Sequence, residues 1–290
     1  MSQTSRILVT AASGALGRLV VAALLERVDP SRVVAAARNP DKLADLAAWG
    51  VEVRAADHEQ PDTLATAFAG IDRALLISSN EFGRRLPQHT NVIQAAKAAG
   101  VGLLAYTSIL HGDRSPLALA TDHVDTEAAL RDSGVPFAVL RNSWYLENYN
   151  GAIPVALEHG LVFGSAGEGR IAAAARADYA AAAAAVLTSD EDQNGKIYEL
   201  AGDSAFTMAD WAATLATVSG KPVAYRDLPQ ADYAALLAQH GLPEAFAGLL
   251  ADSDVGASKG GLFDDSKTLS RLIGRPTTTL TAALTAALAG

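Results

Sequence analysis

The 290 residues contain no cysteine. Disulfides, thiolate metal sites and cysteine nucleophiles are therefore excluded. Positive charge is also scarce: 23 lysines and arginines stand against 32 acidic residues, and none of the basic residues form a run. A net charge of −9 argues against nucleic acid as a partner, because phosphate contacts need clustered cations. Long apolar stretches are missing too. Ile171–Leu187 is interrupted by Arg176 and Asp178, so no membrane span is expected. The opening MSQTSRILVT has no apolar signal core, which gives a cytoplasmic protein as the expectation. His58, His89, His111, His159 and His240 have no metal-ligand spacing, and neither a metal nor a flavin is expected.

What the chain does contain is a rhythm. Short β-branched or aliphatic runs alternate with longer Ala/Leu-rich runs, as in a parallel sheet covered by helices. Strands are expected at Arg6–Thr10, Arg32–Ala37, Val51–Ala55, Arg73–Ile77, Leu103–Thr107 and Phe137–Arg141. Helices are expected at Leu16–Val28, Asp41–Trp49, Thr63–Phe68, Pro87–Ala99 and His123–Ser133, with Asn39 capping the second and Gly100 and Gly134 ending the last two. The fold class is α/β: a doubly wound Rossmann sheet with helices on both faces and a smaller C-terminal lobe. Residues 1–150 form the nucleotide-binding domain, with 176–200 returning to it, and 151–290 form the substrate-side lobe. Within that lobe Gly164–Arg170 and Leu250–Lys259 read as loops. Thr207–Val218 and Leu280–Ala289 read as helices.

The run Thr10-Ala11-Ala12-Ser13-Gly14-Ala15-Leu16-Gly17 joins the first strand to the first helix. A dinucleotide fold needs small residues here so that the turn can form, the backbone can approach a diphosphate and the helix can pack on the strand. The helix N-terminus then offers N–H groups and partial positive charge. Ala11 stands where glycine is usual. At positive φ its Cβ costs about 1–2 kcal/mol, and at negative φ nothing. A plain strand–helix turn is the alternative.

The second strand ends in Arg38, with no carboxylate between Val33 and Pro40. A carboxylate there would bind the ribose hydroxyls of NAD. A guanidinium suits the 2′-phosphate of NADP, with charged hydrogen bonds of ~1.5–3 kcal/mol each. The alternative is a solvated charge at a strand end. Asp57, after the third strand, is a candidate for the adenine amino group or for a loop cap. Ile77, Ser78 and Ser79 end the fourth strand, where a dinucleotide ordinarily passes.

The loop Thr10–Gly17, Ala37-Arg38-Asn39-Pro40, Leu76–Ser79 and Tyr106-Thr107-Ser108 together resemble the NmrA-like group of atypical short-chain dehydrogenases. Pro87-Gln88-His89, Leu140-Arg141-Asn142, Trp144-Tyr145, Glu147-Asn148-Tyr149, Arg176–Tyr179, Glu199–Asp203 and the run Leu250–Lys267 are similar to bacterial NADPH:quinone oxidoreductases within that group. The resemblance implies NADPH as cofactor and a small quinone as partner, with a homo-oligomer left open. It places the cofactor along Ala11–Gly17, Arg38, the strand ends including Thr107 and Ser108, and the segment Asn142, Ser143, Trp144, Tyr145 and Glu147. It also admits a second reading, a redox sensor that binds the dinucleotide without turnover.

One catalytic motif is missing. Standard short-chain dehydrogenases use Tyr-x-x-x-Lys as acid and base, yet none of the seven tyrosines has lysine four residues on. His123 and Glu127 occupy those places. A quinone is electrophilic enough to take hydride when stacked and positioned. His123 is the candidate proton donor; the alternative is that His123 and Glu127 only hydrogen-bond on a helix face. Trp144, Tyr145 and Tyr149 are candidates for flat walls around a flat substrate, or for packing. His111 is a candidate for the pocket border. A quinone is expected to enter between the sheet and the C-terminal lobe.

Overall fold

The computed structural model describes Ser5 to Ala289, and these residues divide into two compact units. The first unit holds the residues up to Ile109, Asp122–Asn142 and Arg176–Tyr198. The second holds Leu110–Thr121, Ser143–Ala175 and the residues from Glu199 onward.

In the first unit, strands β1 (Ile7–Val9), β2 (Val33–Ala37), β3 (Glu52–Ala55), β4 (Arg73–Leu76), β5 (Leu103–Ile109) and β6 (Phe137–Asn142) alternate with helices. The helices are α1 (Ala15–Leu25), α2 (Ala44–Ala48), α3 (Pro61–Phe68), α4 (Arg85–Ala98) and α5 (Ala120–Ser133). After α6 (Ile153–His159) and β7 (Leu161–Gly164) of the second unit, the chain adds α7 (Arg176–Thr188) and β8 (Lys196–Leu200). The seven-stranded sheet runs β3-β2-β1-β4-β5-β6-β8, with β1 to β6 paired in parallel. The start of β8 lies beside the start of β6, through Gly195 N–H to Phe137 O at 2.7 Å, and the two ends meet through Ser143 N–H to Leu200 O at 2.8 Å. That pair therefore also runs in one direction. Order reverses at β1, the switch point at which a doubly wound sheet opens a crevice.

Successive strand residues point to opposite faces, and a central parallel strand must be apolar on both. Ile7, Leu8 and Val9 are all fully buried. Leu8, Val34, Leu76, Tyr106 and Val139 share one core with Leu64 and Phe68 of α3, Val92, Ile93 and Ala96 of α4, and Leu130 of α5. Each large apolar side chain so buried contributes about 1.5–3 kcal/mol. Helices α1 and α7 pack on one another.

Asn39 caps as expected, its side chain accepting Asp41 N–H at 3.0 Å with Pro40 first in the turn. The single helix expected at Asp41–Trp49 is instead a 3₁₀ turn, Pro40–Leu43, followed by the short α2.

The second unit continues with α8 (Met208–Ser219), β9 (Ala224–Asp227), α9 (Gln230–Gln239), α10 (Glu244–Ser258), α11 (Thr268–Ile273) and α12 (Leu280–Ala289). Strands β7 and β9 pair in parallel, a small sheet the sequence reading did not anticipate. The expectation of a loop at Leu250–Lys259 is overturned, since α10 runs through to Ser258. Its glycine, serine and alanines are packing choices: Ala251, Ser253, Gly256 and Ala257 are buried, and a Cβ at Gly256 would stand 2.8 Å from Leu117 Cγ. The expected loop at Gly164–Arg170 does form after β7. Its amides are taken in turn: Ser165 N–H by Asp254 Oδ2 at 2.8 Å, Ala166 N–H by Tyr225 Oη at 3.1 Å and Gly167 N–H by Asp227 Oδ1 at 2.7 Å.

No helix among the described residues is long and apolar enough to cross a membrane.

Candidate functional site

The run from β1 into α1 is a tight turn of small residues. Ala11 sits in the left-handed region, with φ of +48°. The steric cost that a negative φ would have avoided is therefore present, roughly 1–2 kcal/mol. The turn is stitched down around it: Thr10 N–H donates to Leu75 O at 3.0 Å, Ala12 N–H to Ala36 O at 2.9 Å and Gly14 N–H to Ala11 O at 2.9 Å. Thr10 Oγ1 accepts Ile77 N–H at 3.1 Å, tying the loop to the end of β4. Gly14 and Ala15 are exposed, Ser13 is half-buried, and Ala12 and Leu16 are buried.

Gly14 caps α1 with no side-chain hydrogen bond, and the first turn carries no acidic residue. First-turn amides have no intrahelical acceptor, so this uncapped end offers them, with the helix dipole, to an anion. Gly17 is required for closeness. A Cβ there would lie 2.4 Å from Ala11 O and 2.7 Å from Ala12 Cα, both backbone atoms without freedom to yield. At Gly14 the nearest atom would be Ala11 O at 3.3 Å, a much milder conflict.

Arg38, directly after β2, has a side chain 72% exposed and only a 3.3 Å contact to Glu81. It is free to turn toward a phosphate. Asp57 makes local bonds: its Oδ1 accepts Glu59 N–H at 3.0 Å and its Oδ2 accepts Gln60 Nε2–H at 3.2 Å. These are the contacts of a loop cap.

Two polar atoms at the ends of β4 and β6 are buried without a hydrogen-bond partner: Ser78 Oγ and Asn142 Oδ1. Orphaned buried groups are rare enough to need a reason, and both residues belong to the sequence-predicted set. With the uncapped helix and the space only glycine leaves at position 17, they fit a dinucleotide lying along the strand ends. The first unit brings together Ala11–Gly17, Arg38, Asp57, Ile77–Ser79, Thr107, Ser108 and Asn142.

Ser143, Trp144, Tyr145 and Glu147 belong to the second unit. There Ser143 Oγ donates to Leu262 O at 3.3 Å, and Tyr145 forms a parallel bridge to Ala174. Tyr149 stacks edge-on against Phe206 at 5.9 Å and lies 6.1 Å from Trp211, as a packing residue does. His111 adopts φ of +67°, with its N–H on Glu199 Oε2 at 2.8 Å and Nε2 on Phe263 O at 2.9 Å.

The face of α5 that would carry tyrosine and lysine in other dehydrogenases is sealed. Glu127 is 1% exposed. It accepts a bidentate pair from Arg141, Nε at 2.9 Å and Nη2 at 2.7 Å, and the Ser108 hydroxyl at 2.6 Å. His123 is buried, with Nδ1 at 2.8 Å from Tyr106 Oη and Nε2 at 3.3 Å from Arg85 Nη1. Burial, followed by the Arg85 charge, holds His123 well below the ordinary imidazole range. Both ring nitrogens are occupied and the ring is neutral at neutral pH. These are the bonds of the helix-face alternative. Burial likewise raises the Tyr106 phenol far above its ordinary value. Arg85, His89, Tyr106 and Thr126 were not singled out as site residues. Their signals in the sequence are the Pro87-Gln88-His89 run for His89 and the Tyr106-Thr107-Ser108 run for Tyr106.

Comparison with known proteins agrees with this geometry. An NAD(P)H-binding family model matches residues 11–190. Quinone oxidoreductase 2 of Escherichia coli (strain K12) is 57% identical over 274 residues, 94% of this chain and 96% of that protein. The crystal structure of NADPH-dependent quinone oxidoreductase QOR2 of E. coli, complexed with NADPH, superposes with a TM-score of 0.95 and 55% identity. It covers 97% of this chain and 99% of that one. The triphenylmethane reductase of Citrobacter sp., complexed with NADP(H), gives a TM-score of 0.92 at 36% identity over 97% and 99% of the two chains. The chain belongs to the NAD(P)H-binding family, among the relatives of quinone oxidoreductase 2.

Proposed function

We propose that the protein is an NADPH:quinone oxidoreductase that passes hydride directly from the nicotinamide to a small quinone. The observation that carries the reading is the sealed α5 face. Where a carbonyl-reducing dehydrogenase keeps a titratable tyrosine and its lysine, this chain has a neutral, doubly bonded His123 and a bidentate Glu127–Arg141 pair. A substrate reduced here must accept hydride without a poised acid beside it. Quinones do so, since their reduced oxygen is resonance-stabilised. The likeness to quinone oxidoreductase 2 over nearly the whole chain supports the same acceptor.

Bound NADPH supplies the hydride. The chain's own residues supply position. The uncapped first turn of α1 holds the diphosphate, and Gly17 lets the backbone come close enough for it. Arg38 takes the 2′-phosphate and so favours NADPH over NADH. Ser78 Oγ and Asn142 Oδ1 gain the hydrogen-bond partners they lack. Orientation of this kind can account for most of a hydride-transfer rate. The proton that completes the quinol comes from solvent in this reading.

The test is loss of the near-ultraviolet absorbance of NADPH when the purified protein is mixed with 1,4-benzoquinone and, separately, with a set of substituted quinones. Enzyme-dependent oxidation that saturates in both substrates is expected. Tight NADPH binding with no oxidation by any of the quinones would overturn the catalytic reading and leave a dinucleotide-sensing regulator.

A further inference from the structure

The segment leaving β4 is held by side chains from other elements. Ser78 N–H donates to Thr107 Oγ1 of β5 at 2.9 Å. Ser79 N–H donates to His89 Nε2 of α4 at 3.0 Å, and Ser79 O accepts Arg85 Nε–H at 2.6 Å. Three backbone groups of two adjacent residues are thus satisfied outside any strand ladder, and a change at those side chains leaves them to find other partners.

The network behind them has one consistent proton arrangement. A backbone N–H only donates, so His89 Nε2 is the acceptor and its ring proton is on Nδ1. That proton goes to Thr126 Oγ1 at 2.9 Å, and Thr126 gives its own to Asp122 O at 2.8 Å. A guanidinium also only donates, so Arg85 makes His123 Nε2 an acceptor, and His123 Nδ1–H turns to Tyr106 Oη. Arg85 is 6% exposed and His89 fully buried. Burial, then the charges of His58 and Arg85, bring His89 down to about 3, so the arrangement persists through the whole neutral and mildly acidic range.

We propose that His89 and Arg85 are positioning residues for the cofactor: they fix Ser78–Ser79 in the single conformation along which the bound dinucleotide lies. The inference rests on the reading that this chain binds NADPH at the strand ends. It explains why α4 and α5 carry two buried, neutral histidines behind that segment. It also gives the orphaned Ser78 Oγ a defined place to meet its ligand. Displacing a binding group by an ångström has large consequences for affinity and rate.

The test compares His89→Leu with His89→Gln, whose amide oxygen can accept Ser79 N–H while its NH₂ donates to Thr126. NADPH dissociation constants are measured by calorimetry alongside kcat, both KM values and the melting midpoint. We expect His89→Leu to raise the NADPH dissociation constant about tenfold, with kcat at saturating NADPH within about threefold and the quinone KM unchanged. His89→Gln should recover to within about threefold of the parent. If His89→Leu does not fold, Thr126→Val carries the test, since it removes the acceptor of the His89 proton; about a threefold weaker NADPH affinity is expected. An unchanged NADPH dissociation constant in the folded variants, or equal loss in Leu and Gln, would overturn the proposal. Parent protein that binds NADPH but reduces no quinone would overturn the assigned reaction and leave this clamp standing.

Discussion

Two stretches of the first unit hold polar or strained groups against its sheet, and they do opposite things. The turn Thr10–Gly17 is built almost without side chains, and its opening helix is uncapped. The inner face of α5 is crowded with charge and hydroxyls, and each is tied to a partner: His123 to Tyr106 and Arg85, Thr126 to His89, Glu127 to Arg141 and Ser108. The turn is shaped to receive something, whereas the α5 face is already complete. Charged residues in a catalytic-looking register are therefore poor evidence of chemistry when their bonds are internally satisfied, and an alanine-rich turn can be good evidence of binding.

The largest effect expected from this contrast is on stability at the α5 face. Glu127→Ala leaves Arg141 buried beside an unpaired Ser108, and removing one member of such a pair costs about 3–5 kcal/mol; chemical denaturation should show it. In the turn, Gly17→Ala forces a Cβ into Ala11 O and Ala12 Cα, and NADPH affinity should fall about a hundredfold, ~2.7 kcal/mol, by calorimetry. A variant that binds normally would mean that α1 can shift away from β1 without penalty. Next comes Arg38→Asp, expected to weaken NADPH about tenfold or more while NADH changes little. Equal affinities before and after would remove Arg38 from the cofactor site. His123→Ala should lower turnover by about tenfold at most, because acid catalysis typically contributes 10²–10⁴-fold. A loss of about four orders of magnitude would make His123 a true proton donor and break the contrast. The smallest effect is Ala11→Gly. Relief of the left-handed strain is partly offset by glycine's greater freedom when unfolded, leaving a gain of about 1 kcal/mol or less. NADPH binding should stay unaltered, and a lower melting midpoint would contradict the strain.

Much of the first unit was legible in the sequence because local chemistry and global fold agree there. The apolar runs at Ile7–Val9 and Val33–Ala37 have no polar face, so they had to be central strands. Asn39-Pro40 states its own turn. The positions of the loop after the first strand and of Arg38 after the second follow from the alternation of elements. Other features depend on atoms far apart in the chain. Whether Ala11 took positive φ depended on its stitching to Leu75 and Ala36 through its neighbours, which no propensity encodes. The partners of His123 and Glu127, which are Tyr106, Arg85 and Arg141, come from other elements, so no local pattern announces those bonds. The helix α10 was hidden by its own packing. Gly256 sits against Leu117, and glycine and serine read as a loop wherever the neighbour is unknown.

The carbonyl of Ala11 also serves as a gauge. It fills the volume a side chain at position 17 would claim, so the bend before the helix and the helix's first turn are cut to fit each other. Changes at the two sites will be read jointly by the protein. A larger residue at one end could be rescued by repositioning the other, and sequence patterns that score these positions independently will misjudge chains in which the first glycine has been exchanged.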